Sequence, residues 1–175
     1  MIQSIDEFAK TWSVFSADTG RLLSALTDKS LSQRVADGHR ALGDIAWHIV
    51  VSIPEMAERT GLKLDGPQEN TPPPDTAGDI KSGYDTVSKS LIEQIKKNWT
   101  DKDLKIEDDM YGQKWSRAFT LKIIREHEIH HRGQMTVLMR QTGLKVPGLC
   151  GPSKEEWAQF NMSAPQLSEK YFSNE

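Results

Sequence analysis

Apolar residues recur along this chain at intervals of three and four, the spacing that gathers side chains on one face of an α-helix. Phe8, Trp12, Phe15, Leu22, Leu23 and Leu26 form the first such stripe. Leu42, Ile45, Ile49, Ile53 and Met56 form a second, predicting a helix from about Ala41 to Thr60 with Gly61 as its stop. Pro54 lies inside it, where the missing N–H predicts a bend or a lost hydrogen bond. Ile80, Tyr84, Val87, Leu91 and Ile95 form the third, opening near Thr76 or Asp79. The fourth runs from about Arg117 to Thr142 and stops at Gly143.

The segments between these stripes carry turn chemistry. Asp65 to Pro74, DGPQENTPPP, reads as an extended linker long enough to cross the end of a bundle, so the second and third helices need not form a tight hairpin. Residues 100–116 are polar and irregular, and Leu104–Glu107 is expected to pair with Gln113–Trp115 as a short β-hairpin. After Gly143 comes KVPGLCGPSKEEW, turns followed by a short helix with Ser153 as N-cap and Glu156 three residues on. Four amphipathic helices without strong strands predict an all-α four-helix bundle, with residues 1–175 as a single domain.

Bulk properties narrow the classes. A net charge of −3 with signs interspersed offers no basic block for nucleic acid. The longest apolar run, around Ile49–Val51, falls far short of a membrane span, and the acidic N-terminal stretch does not read as a signal peptide. The single cysteine, Cys150, allows no internal disulfide and fits a reducing cytoplasm.

Chemistry concentrates on the fourth helix, where REHEIHHRGQ holds three of the five histidines. With His127 at zero on a helical wheel, His131 falls near +40°, His130 near −60° and Gln134 near −20°. Phe119, Ile123, Ile124, Met135, Val137 and Leu138 share that side, whereas Glu128, Arg132 and the other charges fall at about 100° or beyond and define the expected outer face. Imidazoles at i and i+4 lie one turn apart and can grip one ion, which would explain why polar rings sit on an apolar stripe. A third ligand must come from a facing helix. His48 lies within the second helix beside its apolar stripe, whereas His39 belongs to a polar run and reads as solvated. His48, His127 and His131 are therefore the expected metal ligands, with Glu128 or His130 as candidate catalytic proton carriers and Trp47 and Trp115 as candidate walls of the mouth.

His127, Glu128 and His131 also spell the HExxH pattern of zinc peptidases. The metzincin continuation fails, since Gln134 and Val137 stand where glycine and a third histidine are needed. The segment ahead of Glu155 and Glu156 is a turn, which weakens the class that takes a downstream glutamate. A peptidase is thus the lesser alternative.

HEIHHRGQMTVLMRQTGLKVPGLCGPS (127–153) resembles the signature of the DinB-like (DNA-damage-inducible) family, and ALGDIAWHIVVS (41–52) resembles that family's second-helix histidine segment. YGQKWSRAFTLKIIREHEIHH (111–131) is similar to its approach to the fourth helix. The resemblance implies an up-down-down-up bundle and a divalent metal, zinc or nickel first and iron or manganese next, on His48, His127 and His131. It also implies a homodimer, and a small-molecule substrate for an enzyme that transfers a low-molecular-weight thiol, isomerises a thiol adduct or hydrolyses. Some members have no assigned activity, so a non-catalytic metal-binding or stress-response bundle is the alternative. Cys150 departs from the tyrosine the family often carries before Gly-Pro-Ser, and is expected to pack rather than to ligate.

Overall fold

A computed structural model describes residues 2–168. It contains α1 (Ile5–Ser24), α2 (Leu42–Glu58), α3 (Ala77–Asn98) and α4 (Arg117–Gln141), with a two-stranded hairpin of β1 (Glu107–Met110) and β2 (Gln113–Ser116) ahead of α4. Three helices begin on a hydroxyl cap. Ser4 Oγ accepts from the Glu7 amide, Thr76 Oγ1 from Asp79 and Ser116 Oγ from Phe119, each relieving one of the free N–H groups of a first turn. At α2 the roles reverse: Asp44 Oδ2 accepts from the Ala41 amide at 2.8 Å. The α2 helix passes through Pro54 without interruption.

Each of α1 and α2 packs against both α3 and α4, closing a four-membered ring around one core. Phe8, Trp12, Leu22, Ile49, Ile80, Leu91 and Met135 are fully enclosed in it. Trp12 donates its indole N–H to the Ser88 carbonyl at 3.1 Å, and the α1 amide of Ile5 donates to Asp101 beyond the end of α3, so these two helices run in opposite directions. So do α2 and α4: His48 meets His131, while Ser52, one turn later, meets His127.

The proline-rich linker is pinned rather than loose. Trp47 is buried and donates its indole N–H to the Thr71 carbonyl at 2.8 Å, and a Cβ on Gly83 would stand 3.1 Å from the Trp47 ring and 3.2 Å from Pro67. Trp47 is therefore a core and linker residue, not part of a mouth.

Two expectations shift in position. The first strand begins at Glu107 instead of Leu104, because Tyr111 and Gly112 form a two-residue turn with φ of 60° and 80° that requires pairing on both sides at once, Met110 with Gln113. Leu104 instead lies buried in a 3-10 turn, Asp101–Lys105. Near the C-terminus, Glu156 does accept from the Ser153 amide at 3.0 Å, as the capping pattern predicts, but it also accepts from Gly148, and only a four-residue 3-10 helix follows, Trp157–Phe160.

Candidate metal centre

The antiparallel contact of α2 and α4 brings three histidines from two distant stretches together. Ring centroids lie 4.9 Å apart for His48 and His127, 4.7 Å for His48 and His131, and 4.4 Å for His127 and His131. One ring nitrogen from each lies within 4.8 Å of the other two. His48 and His127 are half-buried and His131 is buried.

The outer hydrogen bonds of two of these rings bear on where their protons sit. His131 Nδ1 lies 2.8 Å from Gln134 Oε1, which can only accept, so Nδ1 carries the hydrogen. The same Gln134 amide donates from Nε2 to His130 Nε2 at 3.2 Å. His127 Nδ1 lies 3.3 Å from Ser52 Oγ, which also reaches the Ile49 carbonyl at 3.2 Å; when the hydroxyl donates to that carbonyl it accepts from His127 Nδ1. His131 Nε2 is then a bare lone pair, and it lies 3.1 Å from His127 Nε2. Two nitrogens each about 2.0–2.1 Å from a common ion can stand up to roughly 4.2 Å apart, so the His127 and His131 pair at 3.1 Å fits a shared divalent cation, with a His48 nitrogen within 4.8 Å of both.

The ionic state fits as well. Burial, reinforced by the neighbouring imidazoles, pushes the His127 pKa down to about 4. Burial pushes His48 to about 4, helped by the Arg40 charge and His131 and opposed by Glu55. His131 is lowered chiefly by burial, against the Gln134 hydrogen bond. All three are free bases at neutral pH, the form that ligates.

Residues 1–168 match the sequence profile of the DinB family. The chain belongs to the DinB family. It is 41% identical over 167 residues to the uncharacterized protein YrdA of Bacillus subtilis (strain 168), covering 95% of this chain and all of that one. A crystal structure of a DinB-like protein from Bacillus cereus ATCC 10987 superposes with a TM-score of 0.81 at 44% identity, over 85% of this chain and 99% of that one. A second DinB-like protein, YjoA of Bacillus subtilis, shares the fold with a TM-score of 0.65 at 21% identity, over 82% and 96%. Among the described residues of this DinB chain, no helix is long and apolar enough to cross a membrane.

The other candidates distribute unevenly. Glu128 does not face the histidines. It is 1% exposed, on the side of α4 turned to α1 and α3, where Oε2 accepts from Thr19 Oγ1 at 3.1 Å and from Tyr84 at 3.3 Å. The expectation that Glu128 and Arg132 mark the outer face is corrected: Arg132 is 2% exposed, donating to the Phe15 carbonyl beside Asp18. Two helices, α1 and α3, supply their partners, and that lets charges on α4 face inward. With its glutamate turned away, the HExxH pattern does not form the base-beside-metal arrangement of a zinc peptidase.

His130 is exposed, its ring 4.8 Å from that of His131. Both border a cavity of about 530 Å³ that also takes in His39 and Arg40. His39 is exposed, as expected, but it lies on the wall of this cavity. Arg40 was missed in the sequence; its charge helps depress all three clustered imidazoles, and it lines the cavity that His131 borders. Trp115 is half-buried in an edge-to-face ladder with Tyr111 and Phe119, and Tyr111 donates to Glu55 at 2.6 Å, latching the hairpin to α2. Cys150 is exposed rather than packed, and the histidine cluster does not include it. A larger groove, about 920 Å³, lies between α1 and α3 and contains no histidine.

Proposed function

We propose that this DinB-family chain binds one divalent metal ion through His48, His127 and His131 and is a metal-dependent transferase or hydrolase acting on a small molecule, with a low-molecular-weight thiol or water as nucleophile. The observation that supports it is the convergence of His48, His127 and His131, with the Nε2 atoms of His127 and His131 3.1 Å apart and Gln134 holding the His131 hydrogen on Nδ1. Imidazole donors suit zinc and nickel first and iron after them, with manganese favoured less by nitrogen ligands. Such an ion lowers the pKa of a thiol or water and so supplies a nucleophile near neutral pH.

The chain's own residues do the rest. Gln134 keeps Nε2 of His131 free of a proton, and Ser52 does the same for His127 when its hydroxyl accepts from Nδ1. Arg40 adds a fixed positive charge beside the centre and favours an anionic reactant. His130, exposed on the cavity wall, is placed to pass a proton between substrate and solvent.

Protein purified without added metal is expected to carry about one ion per chain, removable by a chelator with a fall in Tm. The chelator should also remove turnover of thiols with electrophilic acceptors or of simple esters and amides. Absence of any ion overturns the proposal. An ion without turnover across that panel leaves a metal-binding bundle and removes the enzymatic half. Gln134→Ala is expected to weaken metal binding roughly 10- to 100-fold while leaving the fold intact, because it frees the His131 tautomer without deleting a ligand. Competition with a chromophoric chelator measures that loss.

A further inference from the structure

The cavity beside His131 has a chemical bias that the histidines do not explain. Its walls contain no aspartate or glutamate. Arg40 is exposed and makes no hydrogen bond or ion pair among the described residues, and the nearby carboxylate of Asp44 is already committed to the Ala41 amide at 2.8 Å. Val35 and Val137 both line this cavity and are 62% and 55% exposed, while Ile45 and Leu138, also on its wall, are buried. Two exposed valines, two buried aliphatic residues and an unpaired guanidinium border one space.

The wall from the 34–41 loop is also formed in advance. Arg34 and Ala41 make a β-bridge, the Leu42 amide donates to the Gln33 carbonyl at 2.8 Å, and Gln33 Nε2 donates to Gln141 on α4 at 3.1 Å. Val35 and Arg40 sit between these ties, on the same side of the chain as the end of α4.

We propose that this cavity of about 530 Å³ binds a substrate with an aliphatic body and an anionic head group, the head held by Arg40 and the body by Val35, Ile45, Val137 and Leu138. A volume of that size suits a small organic molecule. The guanidinium offers a forked pair of donors that matches a carboxylate. This rests on the metal-centre reading for where the reacting end lies, since His131 borders both, but the selectivity for charge does not depend on the ion.

The test therefore uses metal-free and zinc-loaded protein side by side. Hexanoate, hexan-1-ol and hexylammonium are titrated while the methyl resonances of Val35, Ile45, Val137 and Leu138 are followed by NMR. In both forms hexanoate should shift these methyls and bind about tenfold tighter than hexan-1-ol, with hexylammonium weakest. Arg40→Gln should bring hexanoate and hexan-1-ol to within about twofold of each other. Val137→Glu should weaken hexanoate by placing a carboxylate against it. Neither variant should change zinc content, since neither residue is a ligand. Equal binding of hexanoate and hexan-1-ol to the unaltered protein, a preference that survives Arg40→Gln, or shifts confined to the α1–α3 groove would overturn the proposal. Selectivity in a chain that takes up neither zinc nor nickel nor iron would refute the metal centre and leave this site standing; metal uptake without selectivity would do the reverse.

Discussion

Substituting alanine for His127 is expected to give a folded chain that no longer holds a metal ion. The ring lies half-buried in the cleft between α2 and α4 and is not among the enclosed core residues, so its loss should leave helical circular dichroism unchanged and lower Tm by only a few degrees. The chemical loss is larger. His127 supplies one of the two facing Nε2 atoms, and its Nδ1 lies 3.3 Å from Ser52 Oγ, so on this assignment the variant loses a ligand and leaves His48 and His131 as a two-nitrogen site. Metal affinity should fall by well over the roughly 10- to 100-fold that follows loss of an outer partner such as Gln134. Elemental analysis after gel filtration reads this directly, expecting about one ion per chain before the substitution and almost none after it. His130→Ala is the matched control: it removes an imidazole from the same turn, yet that ring is exposed and stands outside the cluster, so the metal should stay. Full metal content in His127→Ala would refute the assignment.

The contrast between those two neighbouring histidines also shows what the sequence could disclose. Helical spacing puts His127 and His131 on one side of α4, and the apolar stripe of α2 puts His48 at its edge, so the trio was legible from periodicity alone. The second buried face of α4 was not. A wheel centred on His127 treats everything beyond about 100° as solvent, yet Glu128 and Arg132 point into α1 and α3 and meet Thr19, Tyr84, Phe15 and Asp18. Those partners lie 44 to 117 positions away along the chain, and no local pattern announces them. The same wheel put Val137 in the core, although it is 55% exposed on the cavity wall. Arg40 escaped notice for a related reason, because its approach to the imidazoles is set by how the 34–41 loop is tied down and not by a helical repeat. Local physics names the helices and the histidines that cluster; tertiary packing decides which charges are inside.

Glu128 turns that last point into a measurement. Its carboxyl is fully enclosed, and burial raises its pKa from 4.5 to about 7 against the opposing pull of the Tyr84 and Thr19 hydrogen bonds and of Arg132. One oxygen, Oε1, has no hydrogen-bond partner. In the unfolded chain the group ionises near 4.5, so between pH 4.5 and 7 the folded state holds a proton that the unfolded state has released. Stability must then fall as pH rises through that window, and the whole difference corresponds to ~3 kcal/mol once both states are ionised. Glu128→Gln mimics the protonated form and keeps an oxygen for Tyr84 and Thr19. In urea unfolding of metal-free protein, the variant and the parent should be nearly equal at pH 4. The variant should become more stable as pH rises, approaching ~3 kcal/mol above pH 7. Other titrating groups are common to both chains and cancel in the difference. A gap that stays flat from pH 4 to 8 would mean that the carboxylate ionises in the folded chain as easily as it does in water, and that Arg132 already neutralises it.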